Sequence, residues 1–359
     1  MTALYTNPTR VYAGLGSSDS LLDHVATLGG SRIALIGDAG LKRVGVLDRF
    51  EQQLGSAVVF VGLAEVDPTI IASEAAAAEA TAAGADIVIG VGGGSALSQA
   101  KAVALLLTND APVEQYEGIG LAPQRPAPFI AVPTTAGSGS EVSNAFVLYN
   151  TESSHNVGMR GWGYEPDIAV LDGNLLVGLP EVPMRDAAAD ALSHGFEALW
   201  AKGATRFTDT VALAAVRTIR ETLPRALKER RPEDLQSLLE ASTMANFACG
   251  NAGLSLIHAL SGSSKIRISH GRQNGVLLPI VAEFNRSVVS REVSLEIDLL
   301  PELYAAAGIP SAFEADELID TAEDEFFEAG ATSPFRRNNR RDSSDEQLRE
   351  LARLATTPR

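Results

Sequence analysis

Cysteine is nearly absent from this sequence: its 359 residues include one, Cys249. A single cysteine excludes an intramolecular disulfide framework and is typical of proteins kept in a reducing cytoplasm. We therefore expect a cytoplasmic protein that is stabilised by packing rather than by cross-links. Cys249 itself is interpreted as a small buried hydrophobic residue.

Positive charge is also scarce, because 29 basic residues face 45 acidic ones and the formal net charge is −16. Nucleic acids and anionic membranes recruit proteins through a basic surface, so neither is expected as a partner. Long apolar runs are missing as well, and none approaches the ~20 residues that a membrane span needs. The first ten residues are polar and lack the apolar stretch of a signal peptide.

The first half of the chain alternates between strand and helix patterns. Short, continuous, β-branched runs are followed by helical segments, which predicts a parallel sheet covered on both faces. The second half has helical patterns without strand alternation. We therefore expect an α/β domain over residues 1–179 and an all-α domain over residues 180–359. The predicted strands span residues 32–38, 57–62, 86–91, 129–133 and 168–171.

Three features follow predicted strands, where parallel sheets bind ligands. Gly92-Gly93-Gly94-Ser95 lies between a strand and a helix, where glycines let a phosphate approach backbone N–H groups, although a tight turn has the same pattern. Asp38 ends an earlier strand and suits either a ribose or an ordinary turn. The third segment, residues 133–142, is dense in hydroxyls and glycine and suits a polar ligand or a loop.

Asp190 and His194 are four residues apart within a predicted helix, so both side chains lie on one face. Taken alone, such a pair is typical of a surface or capping pair. Two further histidines, His258 and His270, follow in apolar segments that contain glycine. One carboxylate and three imidazoles suit Fe²⁺ or Zn²⁺ with a position open to substrate oxygen.

These motifs, taken in order, resemble the iron-containing (group III) alcohol dehydrogenase family. The resemblance rests on Gly92–Ser95 with Lys101, on residues 133–142 and 166–172, on Asp190 with His194, and on His258 and the segment that begins with Ser269-His270-Gly271. It runs from about residue 5 to residue 290 and is weaker afterwards.

The resemblance implies a Rossmann-like dinucleotide-binding domain over residues 1–179 and a helical, metal-binding catalytic domain over residues 180–359. It implies that the enzyme interconverts an aldehyde or ketone and an alcohol, with NAD(H) favoured over NADP(H) because of Asp38. It implies that one divalent metal is ligated by Asp190, His194, His258 and His270. It also implies that the cofactor is bound by Asp38, Gly93, Gly94, Ser95, Thr134, Thr135 and Ser138.

Four basic residues lie near these motifs in the sequence, although the net charge of the chain is strongly negative. Lys265, Arg267 and Arg272 lie near the last two histidines, and Arg160 precedes the last predicted strand of the first half. We expect some of them to bind an anionic group on the substrate, such as a carboxylate or phosphonate. Salt bridges at the surface are the alternative.

The sequence is also compatible with three other functions. A maleylacetate-reductase-like enzyme, a lyase resembling dehydroquinate synthases, and a binding protein without catalysis all fit the same architecture. By analogy with the family, Leu4 to Val11 would supply a strand for a homodimer. The basic run Arg336 to Arg341 is interpreted as a solvated loop or a lid.

Overall fold

The computed structural model describes residues 6–357, which divide into two compact units. The first contains residues 7–135 and 139–179. The second begins at Pro180 and also includes Thr6 and residues 136–138. The expected class is confirmed: a parallel sheet in the first unit and helices throughout the second.

The first unit is built on a six-stranded sheet in which all paired strands are parallel. Its strand order is β1-β9-β6-β4-β2-β3. The central strands are buried along their length because helices cover both faces. The strands are β1 (Arg10–Ala13), β2 (Ile33–Asp38), β3 (Val58–Ala64), β4 (Ile87–Gly92), β6 (Phe129–Pro133) and β9 (Ile168–Leu171).

A second, three-stranded sheet in the same unit was not expected from the sequence. It consists of β5 (Gly118–Ile119), β7 (Ala145–Asn150) and β8 (His155–Arg160), in the order β5-β8-β7. Strands β7 and β8 form an antiparallel hairpin whose buried and exposed residues alternate. This pattern is typical of a sheet with one face on the core.

The N-terminal strand begins later in the sequence than the expected Leu4 to Val11. Within the described residues it spans Arg10–Ala13 and forms the edge of the six-stranded sheet, with all four residues exposed. Residues 6–9 are irregular. Leu4 and Tyr5, which were included in the expected strand, lie outside the described residues.

Helices of the first unit cover the sheet, and α4 and α5 pack a small-residue, alanine-rich face against β2, β4 and β6. Asp38 caps α2 and Thr69 caps α4, each by accepting a hydrogen bond from a first-turn N–H. The helices are α1 (Leu21–Thr27), α2 (Ala39–Arg43), α3 (Val46–Leu54), α4 (Ile70–Ala82) and α5 (Gly94–Leu106).

The second unit is centred on α6 (Glu181–Trp200), which packs against α7, α8 and α10. From Ala188 to Trp200 every residue of α6 is buried, so its polar side chains there need partners inside the protein. The other helices are α7 (Arg206–Glu229), α8 (Pro232–Ala252), α9 (Leu256–Leu260), α10 (His270–Asn285), α11 (Arg291–Asp298), α12 (Leu300–Ala307), α13 (Ala322–Thr332) and α14 (Asp345–Thr356).

The basic run Arg336 to Arg341 ties helices together. Asn339 exchanges reciprocal amide hydrogen bonds with Asn285 at 2.8 and 3.1 Å, and both residues are fully buried. The Arg341 guanidinium stacks over the Phe284 ring at 4.0 Å. These contacts correct the expectation of a solvated loop or lid, because the run anchors the end of α10.

Among residues 6–357, no helix combines the length and the apolar character that a membrane crossing requires.

Candidate metal and cofactor sites

Three of the four expected metal ligands converge in the second unit. Helix α6 carries Asp190, α9 carries His258, and α10 begins at His270. One ligand atom from each lies within 4.8 Å of the others. Oδ1 of Asp190 is 3.7 Å from Nε2 of His258 and 3.9 Å from Nε2 of His270. Two atoms bound at about 2.1 Å to a tetrahedral metal lie roughly 3.4 Å apart, so this spacing suits a divalent ion.

The amide nitrogen of Asn274 lies among the three candidate ligand atoms. Its Nδ2 is 2.7 Å from Oδ1 of Asp190, 3.2 Å from Nε2 of His258 and 3.0 Å from Nε2 of His270. Two amide hydrogens cannot satisfy three acceptors, whereas one cation can. The Oδ1 atom of Asn274 is buried and has no hydrogen-bond partner among the described residues. The donor set therefore fits a divalent metal.

His194 lies beside this cluster without joining its closest atoms. Its ring stacks on that of His258, with centroids 4.6 Å apart and planes 21° apart. Its Nδ1 is 3.0 Å from Nδ2 of Asn246, on α8. The predicted fourth ligand is thus adjacent to the other three.

Glu197, one turn beyond His194 on α6, fixes the position of His258. The carboxylate is fully buried, and its Oε2 lies 2.6 Å from Nδ1 of His258. Its Oε1 accepts from Ser255 Oγ at 2.9 Å and from Ile257 N at 2.6 Å. A carboxylate accepts only, so Nδ1 of His258 donates to Glu197 and Nε2 is the ring nitrogen that faces Asp190.

Burial and nearby charge shape the pKa values of these groups. Burial acts to raise the pKa of Asp190, but His194, His270, His258 and the Asn274 amide outweigh it and lower that pKa. Burial lowers the pKa of His194 to about 4. For His258, burial acts to lower the pKa, yet Glu197 outweighs burial and raises it. A carboxylate and a neutral His194 ring at neutral pH match what metal ligation requires.

The carboxyl ends of three neighbouring strands form the candidate cofactor site. Asp38 ends β2, Gly92 ends β4 and Pro133 ends β6. Gly93 caps α5 from an extended conformation, so the N–H groups of Gly94 and Ser95 lie at the start of a 13-residue helix. Such a helix N-terminus favours a phosphate.

Glycine is required at position 92 of this loop, and position 93 has little room for a side chain. Gly92 has φ +152°, and a Cβ there would lie 2.5 Å from Cβ of Ala96. A Cβ on Gly93 would lie 3.2 Å from Thr135 Oγ1. Thr134 N donates to Gly92 O at 3.1 Å, so the structure brings Gly92, Gly93, Thr134 and Thr135 together. Ser138 is grouped with the second unit.

The Asp38 carboxylate caps α2 and also lies beside the glycine loop. Its Oδ1 accepts from Leu41 N at 2.8 Å, which caps α2. Its Oδ2 lies 3.3 Å from the point that a Gly92 Cβ would occupy, so the carboxylate borders the glycine loop. Both interpretations of Asp38, a turn residue and a ribose acceptor, are compatible with these contacts.

The four predicted substrate cations have different surroundings. Arg272 is buried and makes hydrogen bonds to Glu317 at 2.8 and 3.2 Å and to two backbone carbonyls, so it organises the chain around residues 310–317. Lys265 is exposed and pairs with Glu325 at 2.8 Å. Arg267 is exposed and lines a cavity of about 460 Å³. Arg160, in the first unit, is exposed and donates to Asn144 Oδ1 at 3.1 Å.

Sequence reasoning missed three polar residues of the metal site. Glu197 is seven residues after Asp190 and three after His194, a spacing that places all three on one helix face. Asn274 is four residues after His270, on the same face of α10. Those spacings were a usable signal, whereas nothing in the local sequence of Asn246 indicates that it contacts His194.

Comparisons with known proteins identify the family of this chain. The model of the iron-containing alcohol dehydrogenase family matches residues 8–173, and the model of its C-terminal region matches residues 186–357. The chain is 36% identical to the probable alcohol dehydrogenase EutG of Escherichia coli over 299 residues, which covers 81% of this chain and 75% of that protein.

Sulfoacetaldehyde reductases are also similar. That of Bilophila wadsworthia is 30% identical over 306 residues, covering 84% of this chain and 79% of that protein. The structure of the sulfoacetaldehyde reductase from Bifidobacterium kashiwanohense in complex with NAD⁺ superposes with a TM-score of 0.91 at 25% identity, covering 99% of each chain. The chain therefore belongs to the iron-containing alcohol dehydrogenase family and is an oxidoreductase of the alcohol dehydrogenase class.

Proposed function

We propose that this chain interconverts small aldehydes and alcohols with a nicotinamide dinucleotide and one divalent metal. The observation that carries the proposal is the convergence of Asp190, His258 and His270 within 4.8 Å. His194, beside them, is the proposed fourth ligand. Fe²⁺ and Zn²⁺ both suit this set of oxygen and nitrogen ligands.

The residues of the chain have distinct proposed roles. A divalent metal supplies Lewis-acid polarisation of a carbonyl, and a nicotinamide supplies or accepts the hydride. Asp190 contributes the one negative charge among the ligands, and Glu197 orients His258. The side chain of His270 is 51% exposed whereas those of Asp190 and His258 are below 10%, so the site is open on the His270 side.

We propose NAD(H) as the preferred cofactor over NADP(H). Asp38 ends β2 beside the glycine loop, where a carboxylate accepts hydrogen bonds from ribose hydroxyls and repels a 2′-phosphate. Gly93, Gly94 and Ser95 would hold the pyrophosphate at the N-terminus of α5. Thr134, Thr135 and Ser138 would line the rest of the cofactor.

An anionic group on the substrate remains part of the proposal, with fewer residues to bind it. Arg272 and Lys265 are engaged with carboxylates, which gives them a structural role. Arg267, which lines the cavity of about 460 Å³, and Arg160 are the candidates that we retain. The similarity to sulfoacetaldehyde reductases supports an acidic aldehyde.

The test is oxidation of NADH, and separately of NADPH, at 340 nm with metal-loaded protein. The panel pairs neutral aldehydes such as propionaldehyde with acidic ones such as sulfoacetaldehyde and glyoxylate. His270→Ala should abolish turnover, whereas His155→Ala, an exposed histidine of the first unit, should not. Turnover without a net absorbance change would instead indicate a lyase that uses NAD transiently.

We also propose a cytoplasmic homodimer. The edge strand β1 is exposed along its length, and an exposed edge is a template for pairing with a second copy. The sequence has one cysteine, Cys249, which is buried, and such scarcity of cysteine supports a reducing compartment. Sedimentation velocity should give the mass of a dimer, and a proline substituted for Val11 should shift it to the monomer.

A further inference from the structure

Lys101 is a buried cation on α5 that is not among the residues of the proposed metal and cofactor sites. The residue is 2% exposed. Its Nζ donates to the carbonyl oxygen of Ser143 at 2.7 Å and to that of Ala145 at 3.0 Å. Burial of an ammonium group costs free energy unless the group is hydrogen-bonded inside the protein. These two carbonyl oxygens are therefore strong partners of Lys101.

Two buried carboxylates act on the same ammonium group. Burial lowers the pKa of Lys101 to about 7, whereas the charges of Glu141 and Glu165 act to raise it. Both glutamates are buried. Glu141 belongs to the hydroxyl-rich and glycine-rich segment of residues 133–142, so this segment experiences the charge of Lys101 directly.

The partners of Lys101 lie at the far end of this segment. Ser143 follows it directly, and Ala145 begins β7. At the near end, Thr134 N donates to Gly92 O at 3.1 Å, beside the glycine loop. Lys101 is seven residues after Gly94, the first residue of α5, so it lies about two turns along the same side of that helix. Both ends of the segment are therefore tied to β4, the glycine loop and α5.

We propose that Lys101 is a positioning residue that sets the segment of residues 133–142 against the glycine loop for cofactor binding. This inference rests on the proposed function, in which the glycine loop holds the pyrophosphate and Thr134 and Thr135 line the cofactor. Without Lys101, the carbonyls of Ser143 and Ala145 lose a charged donor, and the segment gains conformations that do not bind the cofactor. The apparent affinity for the cofactor falls with the population of the competent conformation.

Lys101→Met tests this role because it removes both donations and keeps an unbranched side chain. The dissociation constant for NADH, measured by nicotinamide fluorescence on Zn²⁺-loaded protein, should rise by roughly tenfold or more, the equivalent of one hydrogen bond to a charged group. At saturating NADH, kcat should stay within about threefold, because cofactor binding rather than the chemical step is affected. The dissociation constant for Co²⁺ should not change. General damage to the structure would lower kcat and weaken metal binding as well.

Gln99→Met is the matched control. Gln99 is on α5 and is as buried as Lys101, but it lies two residues earlier and therefore on the other side of the helix. Its substitution should leave the affinity for NADH unchanged. Equal affinity for NADH in Lys101→Met and in the unsubstituted protein contradicts the proposal.

A second test uses the unsubstituted protein, so it does not depend on whether Lys101→Met folds. Because Lys101 is buried, acetic anhydride reaches its amine only when the segment opens. NADH that binds the closed segment must make this opening rarer, so NADH at ten times its dissociation constant should slow acetylation of Lys101 by about tenfold. Mass spectrometry measures this rate, and that of the exposed Lys228 in the second unit should not change. An equal rate for Lys101 with and without NADH contradicts the proposal.

The two tests separate this inference from the proposed function. If the unsubstituted protein binds no NADH, the proposed function fails and the role of Lys101 fails with it. If the unsubstituted protein binds NADH but Lys101→Met binds it equally well, only the role of Lys101 fails.

Discussion

Oε2 of Glu197 lies 2.6 Å from Nδ1 of His258, and both side chains are buried. The same carboxylate accepts from the backbone N–H of Ile257, one residue before His258. It therefore holds both the ring and the first turn of α9. This arrangement makes the geometry of the proposed metal site dependent on a residue that contributes no ligand.

Replacing the Glu197 carboxylate with an amide of the same shape should weaken metal binding. In Glu197→Gln we expect the dissociation constant for Co²⁺ or Zn²⁺ to rise by about 10- to 100-fold, because a hydrogen-bonded carboxylate orients the ligating ring and raises its basicity. Equilibrium dialysis measures this. Glu181→Gln, at the exposed start of the same helix, is the control, and equal affinity in the two variants would refute the role of Glu197.

Asp38→Asn tests cofactor choice without disturbing α2. Asparagine caps a helix as well as aspartate does, so the bond to Leu41 N should survive. The loss of negative charge should raise kcat/KM for NADPH relative to NADH by about tenfold, since the 2′-phosphate is no longer repelled. Steady-state kinetics with both cofactors measures this ratio of kcat/KM values. If Asp38→Asn leaves the ratio unchanged, Asp38 serves only as a helix cap.

Asp172 should stabilise the first unit in a pH-dependent manner. Its buried carboxylate accepts from Ser18 Oγ at 2.6 Å and from the N–H groups of Gly16 and Asn174. Burial acts to raise its pKa, but these hydrogen bonds outweigh burial and lower the pKa below the ordinary 3.8. The stabilisation is thus present above pH 3.8 and is lost as the pH falls through the lower value of the folded state.

Asp172→Asn places an amide among hydrogen-bond donors, so the free energy of unfolding at pH 7 should drop by roughly 1–3 kcal/mol. Urea titrations at pH 7 and below pH 3.8 should show the gap to the unsubstituted protein narrowing as the pH falls. Asp23→Asn, on the exposed face of α1, should change little at either pH. A gap that is independent of pH would show that the carboxylate charge does not contribute.

The basic run near the C-terminus should affect stability rather than turnover. Asn339→Ala breaks its buried reciprocal pair with Asn285 and removes the donor to Asn285 Oδ1, which should lower the free energy of unfolding by roughly 1–3 kcal/mol. Because the run anchors α10 and is not a lid, kcat for the folded variant should stay within about twofold. A large loss of kcat with unchanged stability would restore the interpretation as a lid.

Most of the sheet was predictable because its central strands are continuous apolar runs, as β2 and β4 show. The hairpin β7–β8 was missed, since the exposed residues of β8 are polar or glycine and His155 to Arg160 reads as a loop without its partner strand. Gly275 and Pro279 mask the helical pattern of α10, so the sequence does not locate the start of this helix. Only the structure shows that Ser269 caps this helix and that His270 begins it.

The proposed metal ligands were identified from residue type and family resemblance, but the residues that contact them were not. Glu197 and His258 are 61 positions apart, and Asn246 and His194 are 52 apart. Such contacts depend on how α6, α8 and α9 pack, and no local pattern encodes that packing. For the cations proposed to bind substrate, the sequence did not reveal that Arg272 is buried or that Arg272 and Lys265 have carboxylate partners.

The most direct test of the proposed metal site is a titration of the metal-free protein with Co²⁺. Binding is monitored by the visible absorption of the bound ion. The unsubstituted chain and His155→Ala should each bind one ion per chain with a ligand-field band of nitrogen and oxygen ligands. His270→Ala and His258→Ala should lose that band and the high-affinity binding. If the ion binds equally well without His270 and His258, Asp190, His258 and His270 are not the metal site.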